Sequence, residues 1–314
     1  MNHSVLGLHH VTATVDAAQS DLDFFRGTLG LRLVKKTVNF DNHDVYHFYY
    51  GTEIGAPGTI WTTFPYGGRG VPAGRHGAGQ IGATSFSVPE GSLGFWADRL
   101  RDRGLPATSA LGRFGDDAIA VRDPSGLVIE LVASHRDARA PWSGGGVDPA
   151  HAIRGVHSVT LVESSPDLTV ALMTTRLNFT VVAEMPGRIR LAVGRDQPGA
   201  LMELVIDPRA PTGRNGLGTV HHVAMAIAEG GEQRRLREDL LDHGLHVTDV
   251  LDRQYFESIY FREPGGVLFE VATMKPGFLV DEARSALGLA LKLPPWEEPN
   301  RAAIERSLVP VTDR

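Results

Sequence analysis

The chain has 314 residues, 42% of them apolar and 22% charged, a net charge of −6 and no cysteine. That is the composition of an ordinary globular protein of about two domains. With no basic block it argues against a nucleic-acid partner, and without thiols it excludes disulfides, thiolate metal sites and a cysteine nucleophile, so any metal must be held by His and carboxylate, with Tyr or water. Residues 1–7 lack the charged start and apolar stretch of a secretion signal. No apolar run approaches the roughly 18 residues that cross a bilayer. The default expectation is a cytoplasmic protein with no membrane partner.

Residues 8–15 alternate as a strand. His10, Thr12 and Thr14 share one face, and His9, Val11, Ala13 and Val15 share the other, more apolar one. A helix is expected over 20–30, with Ser20 as N-cap, Gly30 as C-cap and Leu22, Phe25 and Leu29 on one stripe. Strands follow over 31–39, 45–50 and 59–64, with turns at Asp41-Asn42 and 55–58. Residues 65–79, rich in Gly and Arg, read as a loop with no phosphate-binding pattern. A second unit runs over 81–133, with a helix near 92–103 carrying Leu93, Trp96 and Leu100 on one stripe, and its last strands at 118–121 and 127–132. The Gly- and Pro-rich stretch 138–153 marks a linker. A third unit covers 155–206, with a poorly patterned helix near 167–177. A fourth covers 219–273, with a charged helix over 232–243. Residues 276–314 form a tail with a short helix near 300–308. The expected fold class is α+β: four βαβββ modules in two domains, 1–137 and 154–275, joined by 138–153.

The four units are repeats, and repeats outrank local readings. Their first strands contain Leu8-His9-His10-Val11-Thr12, Ala83-Thr84-Ser85-Phe86, Val156-His157-Ser158-Val159 and Val220-His221-His222-Val223. Their last strands contain Gly58-Thr59-Ile60-Trp61-Thr62, Gly126-Leu127-Val128-Ile129-Glu130, Gly199-Ala200-Leu201-Met202-Glu203 and Gly266-Val267-Leu268-Phe269-Glu270. Superposed, they carry His10, Thr84, His157 and His222 at one position and Thr62, Glu130, Glu203 and Glu270 at another. Which modules meet decides the site. Modules three and four would give a two-His, two-Glu set of His157, Glu203, His222 and Glu270. Modules one and four would give His10, His222 and Glu270, with Thr62 in the fourth place. That facial set leaves positions open and suits non-haem Fe(II). Modules two and three would give the poorer set Thr84, Glu130, His157 and Glu203.

Four such units with His and Glu at strand ends resemble the vicinal-oxygen-chelate superfamily of glyoxalases, extradiol dioxygenases and antibiotic-resistance proteins. The resemblance covers nearly the whole chain. Leu8-His9-His10-Val11-Thr12, Asp23-Phe24-Phe25, Gly58 to Pro65, Tyr255-Phe256-Glu257-Ser258-Ile259-Tyr260-Phe261, Pro264 to Glu270 and the tail from Asp281-Glu282 to Leu291 are similar to the hydroquinone-type ring-cleaving dioxygenases. That resemblance implies an Fe(II) centre, with Mn(II) an alternative, held by His10, His222 and Glu270. It also implies a small aromatic substrate, O2 as co-substrate, and His9, Thr12, His221, Arg253 and Tyr260 beside the metal. Strand parity agrees for His222, which shares a face with small Ala224 and Ala226, whereas alternation puts His9 and His221 on the opposite face. Gln254 stands where the family often has Gly.

Plainer readings stand beside these. His157 reads as a buried hydrogen-bonding residue, and Glu130 and Glu203 as remnants of the repeat, paired with Arg or exposed. Tyr260 reads as packing, and His43, His47, His76, His135, His151, His243 and His246 as surface or strand residues. No Gly-x-Ser-x-Gly or Walker motif occurs. Two rival functions remain: a glyoxalase-like lyase or isomerase, and a metal-free module that sequesters a small molecule. A catechol-type extradiol dioxygenase is a third, closer alternative, and a homo-oligomer stays open. The pairing of modules one and four predicts that residues 8–64 and 219–273 form one cup.

Overall fold

Each quarter of the chain folds as a strand, a helix and three further strands. The computed structural model describes residues 5–312. Module one is β1 (Val5–Val15), α1 (Ala18–Leu22), β2 (Arg32–Asn39), β3 (Asn42–Gly51) and β4 (Ile60–Pro65). Module two is β5 (Gln80–Val88), α2 (Leu93–Arg101), β6 (Thr108–Arg113), β7 (Asp116–Arg122) and β8 (Val128–Ala133). Module three is β9 (Gly155–Glu163), α3 (Asp167–Thr175), β10 (Phe179–Met185), β11 (Arg188–Val193) and β12 (Leu201–Ile206). Module four is β13 (Thr219–Ile227), α4 (Gly230–Asp242), β14 (Leu251–Asp252), β15 (Phe256–Arg262) and β16 (Leu268–Pro276). The tail carries α5 (Arg301–Ser307). The strand β6 gave no signal in the sequence.

The first helix differs from its sequence reading. It starts at Ala18, so Ser20 lies inside it and caps nothing; Ala17 is the N-cap residue and makes no side-chain cap. It then widens into a π-helical turn over Asp23–Thr28. Phe24 and Phe25 are both buried, whereas a regular helix turns consecutive side chains roughly 100° apart; the wider turn lets both enter the core. Gly30, at φ +73°, ends it in the left-handed conformation that glycine adopts without strain.

Two eight-stranded sheets result, in the orders β14-β15-β16-β13-β1-β4-β3-β2 and β10-β11-β12-β9-β5-β8-β7-β6. The first is built from modules one and four, as the pairing of 8–64 with 219–273 anticipated. The second is built from modules two and three. The sequence halves 1–137 and 154–275 therefore each give one module to each sheet. Both sheets have the same plan: two antiparallel first strands at the centre, each flanked by its own module's last strand in parallel.

The stretch 138–153 is a packed strap rather than a loose connection. Val147, Ala152 and Ile153 join the main core, and Arg139 donates to the carbonyls of Gly58 (2.7 Å) and Val156 (2.9 Å). The loop at 65–79 pairs with the equivalent loop of the other half through bridges at Ala73–Leu217, Arg75–Arg214 and Ala78–Thr212. The tail backs the first sheet. Phe278 packs on Tyr49 and Tyr255, and buried Lys35 is paired with Asp281 and Glu282. Among the described residues no helix is long and apolar enough to cross a membrane.

Candidate metal centre

The antiparallel pair β1 and β13 sets the geometry. His10 lies opposite Ala224, and Thr12 opposite His222. Two residues beyond each histidine, the neighbouring last strand brings up Thr62 beside Thr12 and Glu270 beside Ala224. Thr62 and Glu270 thus occupy equivalent corners of the cup, and only one of them is a carboxylate.

Three ligating atoms converge there. His10 Nε2 and His222 Nε2 are 3.3 Å apart, and Glu270 Oε2 lies 3.2 and 2.9 Å from them. All three residues are buried, and among the described residues they are the one group of this kind. An octahedral face with bonds of roughly 2.1 Å at right angles has edges of roughly 3.0 Å, so the triangle fits a divalent ion. The other oxygen of Glu270 accepts from Ser258 Oγ at 2.5 Å, whereas Oε2, buried and facing the two imidazoles, makes no hydrogen bond. Three buried lone pairs aimed at one point repel unless a cation lies between them.

Each ligand-type histidine is braced by the one before it. His9 Nδ1 is 2.9 Å from His10 Nδ1, and His221 Nδ1 is 2.7 Å from His222 Nδ1. Such a bond fixes the tautomer and leaves Nε2 free to face a metal. Burial brings both bracing imidazoles down to a pKa of about 3, so they are neutral. This overturns the simple alternation that put His9 and His221 on the far face. Between Leu8 and His10 the register advances two residues on β1 against one on β13, and between His222 and Val220 it advances two on β13 against one on β1. His9 and His221 are each the extra residue of a β-bulge, which re-aims the side chain.

The same bulges correct the repeat alignment. In the second sheet the last-strand carboxylates Glu203 and Glu130 pair with Thr160 and Ser85. The residues two earlier, Ser158 and Ala83, hold the positions of His222 and His10. Thr84 and His157 are therefore one residue out of register with the histidines of the first sheet. His157 bonds Ser158 Oγ at 3.1 Å, and burial lowers its pKa to about 4. Glu130 is paired with Arg113, and Glu203 with Arg190 at 2.6 Å. The four-ligand set His157, Glu203, His222 and Glu270 is split between two sheets and is ruled out.

A cavity of about 470 Å³ opens above the trio. Its wall includes Tyr49, Phe64, Phe256 and Leu268 together with His47, His221, Arg253 and Tyr260. Tyr260 lies opposite Glu270 on β15, and its ring centroid is 5.7 Å from that of His222. Arg253 Nε donates to Tyr260 Oη at 3.2 Å, while its two terminal nitrogens grip Asp41 at 3.1 and 3.0 Å. Asp41 belongs to the turn after β2, so this ion pair ties module one to module four across the mouth. Burial and the Glu270 carboxylate push the Tyr260 phenol up, outweighing Arg253, so it keeps its proton. Gln254 has φ +64°, a left-handed conformation that costs an L-residue about 1–2 kcal/mol and suits glycine. Its backbone N–H donates to Asp252 Oδ1 at 2.7 Å, and the turn aims Arg253 inward. Of the other expected residues, Thr12 and His9 lie behind the metal corner: Thr12 accepts from Thr62 at 2.8 Å, and His9 packs on Phe256.

His47 and Asp41 were missed. His47 is on β3, two residues before Tyr49, which lies opposite Thr62. Ser258 bears the same relation to Tyr260 and Glu270. Aligning the inner strands of modules one and four, as well as the first and last, would have brought His47 to the cup.

Comparison with known proteins accords with this architecture. The family model described as the Glyoxalase/Bleomycin resistance protein/Dioxygenase superfamily matches residues 7–131 and 155–271. The Bacillus subtilis protein named "Putative ring-cleaving dioxygenase MhqO" is 41% identical over 310 residues, covering 99% of this chain and 98% of that one. The chlorohydroquinone/hydroquinone 1,2-dioxygenase of Sphingobium indicum is 38% identical over 302 residues, 94% of this chain and 93% of that one. A crystal structure of a Bacillus subtilis protein, 40% identical, covers 100% of this chain and 99% of that chain with a TM-score of 0.93. Maize glyoxalase I shares the fold at 14% identity and a TM-score of 0.63, over 85% of this chain and 92% of that one.

Proposed function

The chain belongs to the Glyoxalase/Bleomycin resistance protein/Dioxygenase superfamily, and from the site it carries we propose that it is an Fe(II)-dependent ring-cleaving dioxygenase acting on a hydroquinone-like aromatic, with O2 as co-substrate. The observation that carries the reading is the buried His10, His222, Glu270 triangle, with no fourth protein ligand among the described residues, under an aromatic-walled cavity. A ferrous ion bound there supplies Lewis acidity and exchanges electrons with oxygen. Mn(II) is the alternative ion.

The chain's own groups have separable tasks. Tyr49, Phe64 and Phe256 offer flat apolar surface to a ring and exclude water. Arg253 balances the charge of a hydroxylate next to the metal corner. Tyr260, protonated and held by Arg253, donates a proton to a developing oxyanion or holds the substrate oxygen. His221, neutral and at the cavity wall, accepts from His222 at Nδ1 and so presents its Nε2–H as a donor. His9 and Thr12 act through their neighbours, by fixing His10 and Thr62. A glyoxalase-type isomerase is less well supported. The corner its fourth ligand would need is Thr62, whose hydroxyl is committed to Thr12 and His47.

Anaerobic reconstitution followed by oxygen uptake on a panel of hydroquinones and catechols tests the proposal. Fe(II) or Mn(II) is expected to support turnover. Zn(II) is expected to bind the same three side chains and give none, because it does not change oxidation state. Full oxygen-dependent activity with zinc alone contradicts the reading, and a preference for catechols moves it to the extradiol class.

A further inference from the structure

The wall opposite Arg253 and Tyr260 carries an unused acceptor. His47 is buried, and its ring lies between Tyr49 (centroids 4.0 Å apart) and Phe64 (4.3 Å). Its Nε2 is 2.9 Å from Thr62 Oγ1, which donates its one proton to Thr12 Oγ1 at 2.8 Å. Where Thr62 donates to Thr12, the imidazole is the donor in the first bond and Nε2 carries the proton. Burial, reinforced by His10, His222 and Arg253, holds the ring well below its ordinary pKa, so it is neutral. Nδ1 therefore bears a lone pair. Among the described residues that atom has no hydrogen-bond partner, and His47 lines the cavity.

Its position selects what it can bind. Thr62 stands between His47 and the metal corner, so the imidazole is set back from the ligand triangle by one side chain. The strand order β1-β4-β3 puts Thr62 between His10 and His47, so the imidazole suits an oxygen across the ring rather than one seated at the metal. From this geometry we infer that His47 is a substrate-binding residue whose Nδ1 accepts a hydrogen bond from the ring hydroxyl remote from the metal, making the site selective for para-diphenols. The inference deepens the reading of the same cavity as a hydroquinone site and rests on it. The pre-set tautomer and the flanking rings hold the acceptor ready, so little ordering cost accompanies binding.

The test is anaerobic titration of the Fe(II)-loaded protein with hydroquinone and with 4-methoxyphenol, which keeps one hydroxyl for the metal and replaces the other by an ether that cannot donate. The unsubstituted protein is expected to bind hydroquinone about tenfold more tightly, the worth of one hydrogen bond left unmade. With iron content matched, His47→Phe is expected to bring the ratio to about one, and His47→Gln, which can still donate to Thr62 and accept through Oε1, to restore part of it. Equal binding of the two ligands by the unsubstituted protein overturns the inference without any variant, as does an unchanged ratio in His47→Phe. Failure to consume oxygen with any diphenol counts against the proposed activity instead, and is separable because the binding ratio is read without oxygen.

Discussion

Alanine at His10, His222 or Glu270 is expected to remove bound metal and oxygen consumption together. Each residue supplies one of three converging atoms, and Thr62 cannot replace a lost one. Outer partners of metal ligands typically contribute about 10–100-fold in metal affinity; loss of a ligand itself should exceed that. The fold should survive, because removing one member of a cluster of mutually repelling lone pairs relieves the metal-free state. His157→Ala is the control. It lies in the other sheet, so metal should stay, and the expected cost is stability of roughly 1–3 kcal/mol from a broken buried hydrogen bond. Metal analysis with thermal unfolding separates the outcomes. A His157→Ala protein that loses its metal, beside a His10→Ala protein that keeps it, would reverse the assignment.

Tyr260→Phe is expected to lower turnover by about a hundredfold to ten-thousandfold, the range for a general acid or base, with bound metal unchanged. The ring and its contact with His222 remain; what disappears is the phenol that Arg253 holds at 3.2 Å. Glu270 is untouched across the strand pair, so the metal corner should persist. The measurement is oxygen uptake at saturating hydroquinone, corrected for iron. Wild-type turnover in the Phe protein would return Tyr260 to a packing role.

Much of the site was legible because metal chemistry and strand repetition are both written in residue order. Repeated His at first strands and Glu at last strands named the trio, and the small neighbours Ala224 and Ala226 identified the open side of His222. What failed was parity. Alternation assumes an unbroken ladder, and the bulges at His9 and His221 break it at the two residues that brace His10 and His222. The same slip misaligned Thr84 and His157, because a repeat compared by eye does not show which copy carries an extra residue. His47 was invisible for another reason: its place depends on a neighbour across β4, and nothing local to residues 45–50 reports it. Ser20 looked like a helix cap, but the burial of Phe24 and Phe25 decided where that helix began and how tightly it wound.

The division of labour between the sheets has a consequence for how the protein comes into being. The second sheet is contiguous, finished once residue 206 has left the ribosome. The first cannot close until the last module arrives, because His10 and His222 are separated by 212 residues. At translation rates of about 5–20 residues per second, His10 waits roughly 10–40 s for its partner. The middle of the chain is thus available as a finished template while the amino-terminal module stands by. On the proposed function, ion capture becomes the closing event of synthesis, and a polypeptide cut short before Glu270 lacks one of the three side chains that would hold the ion.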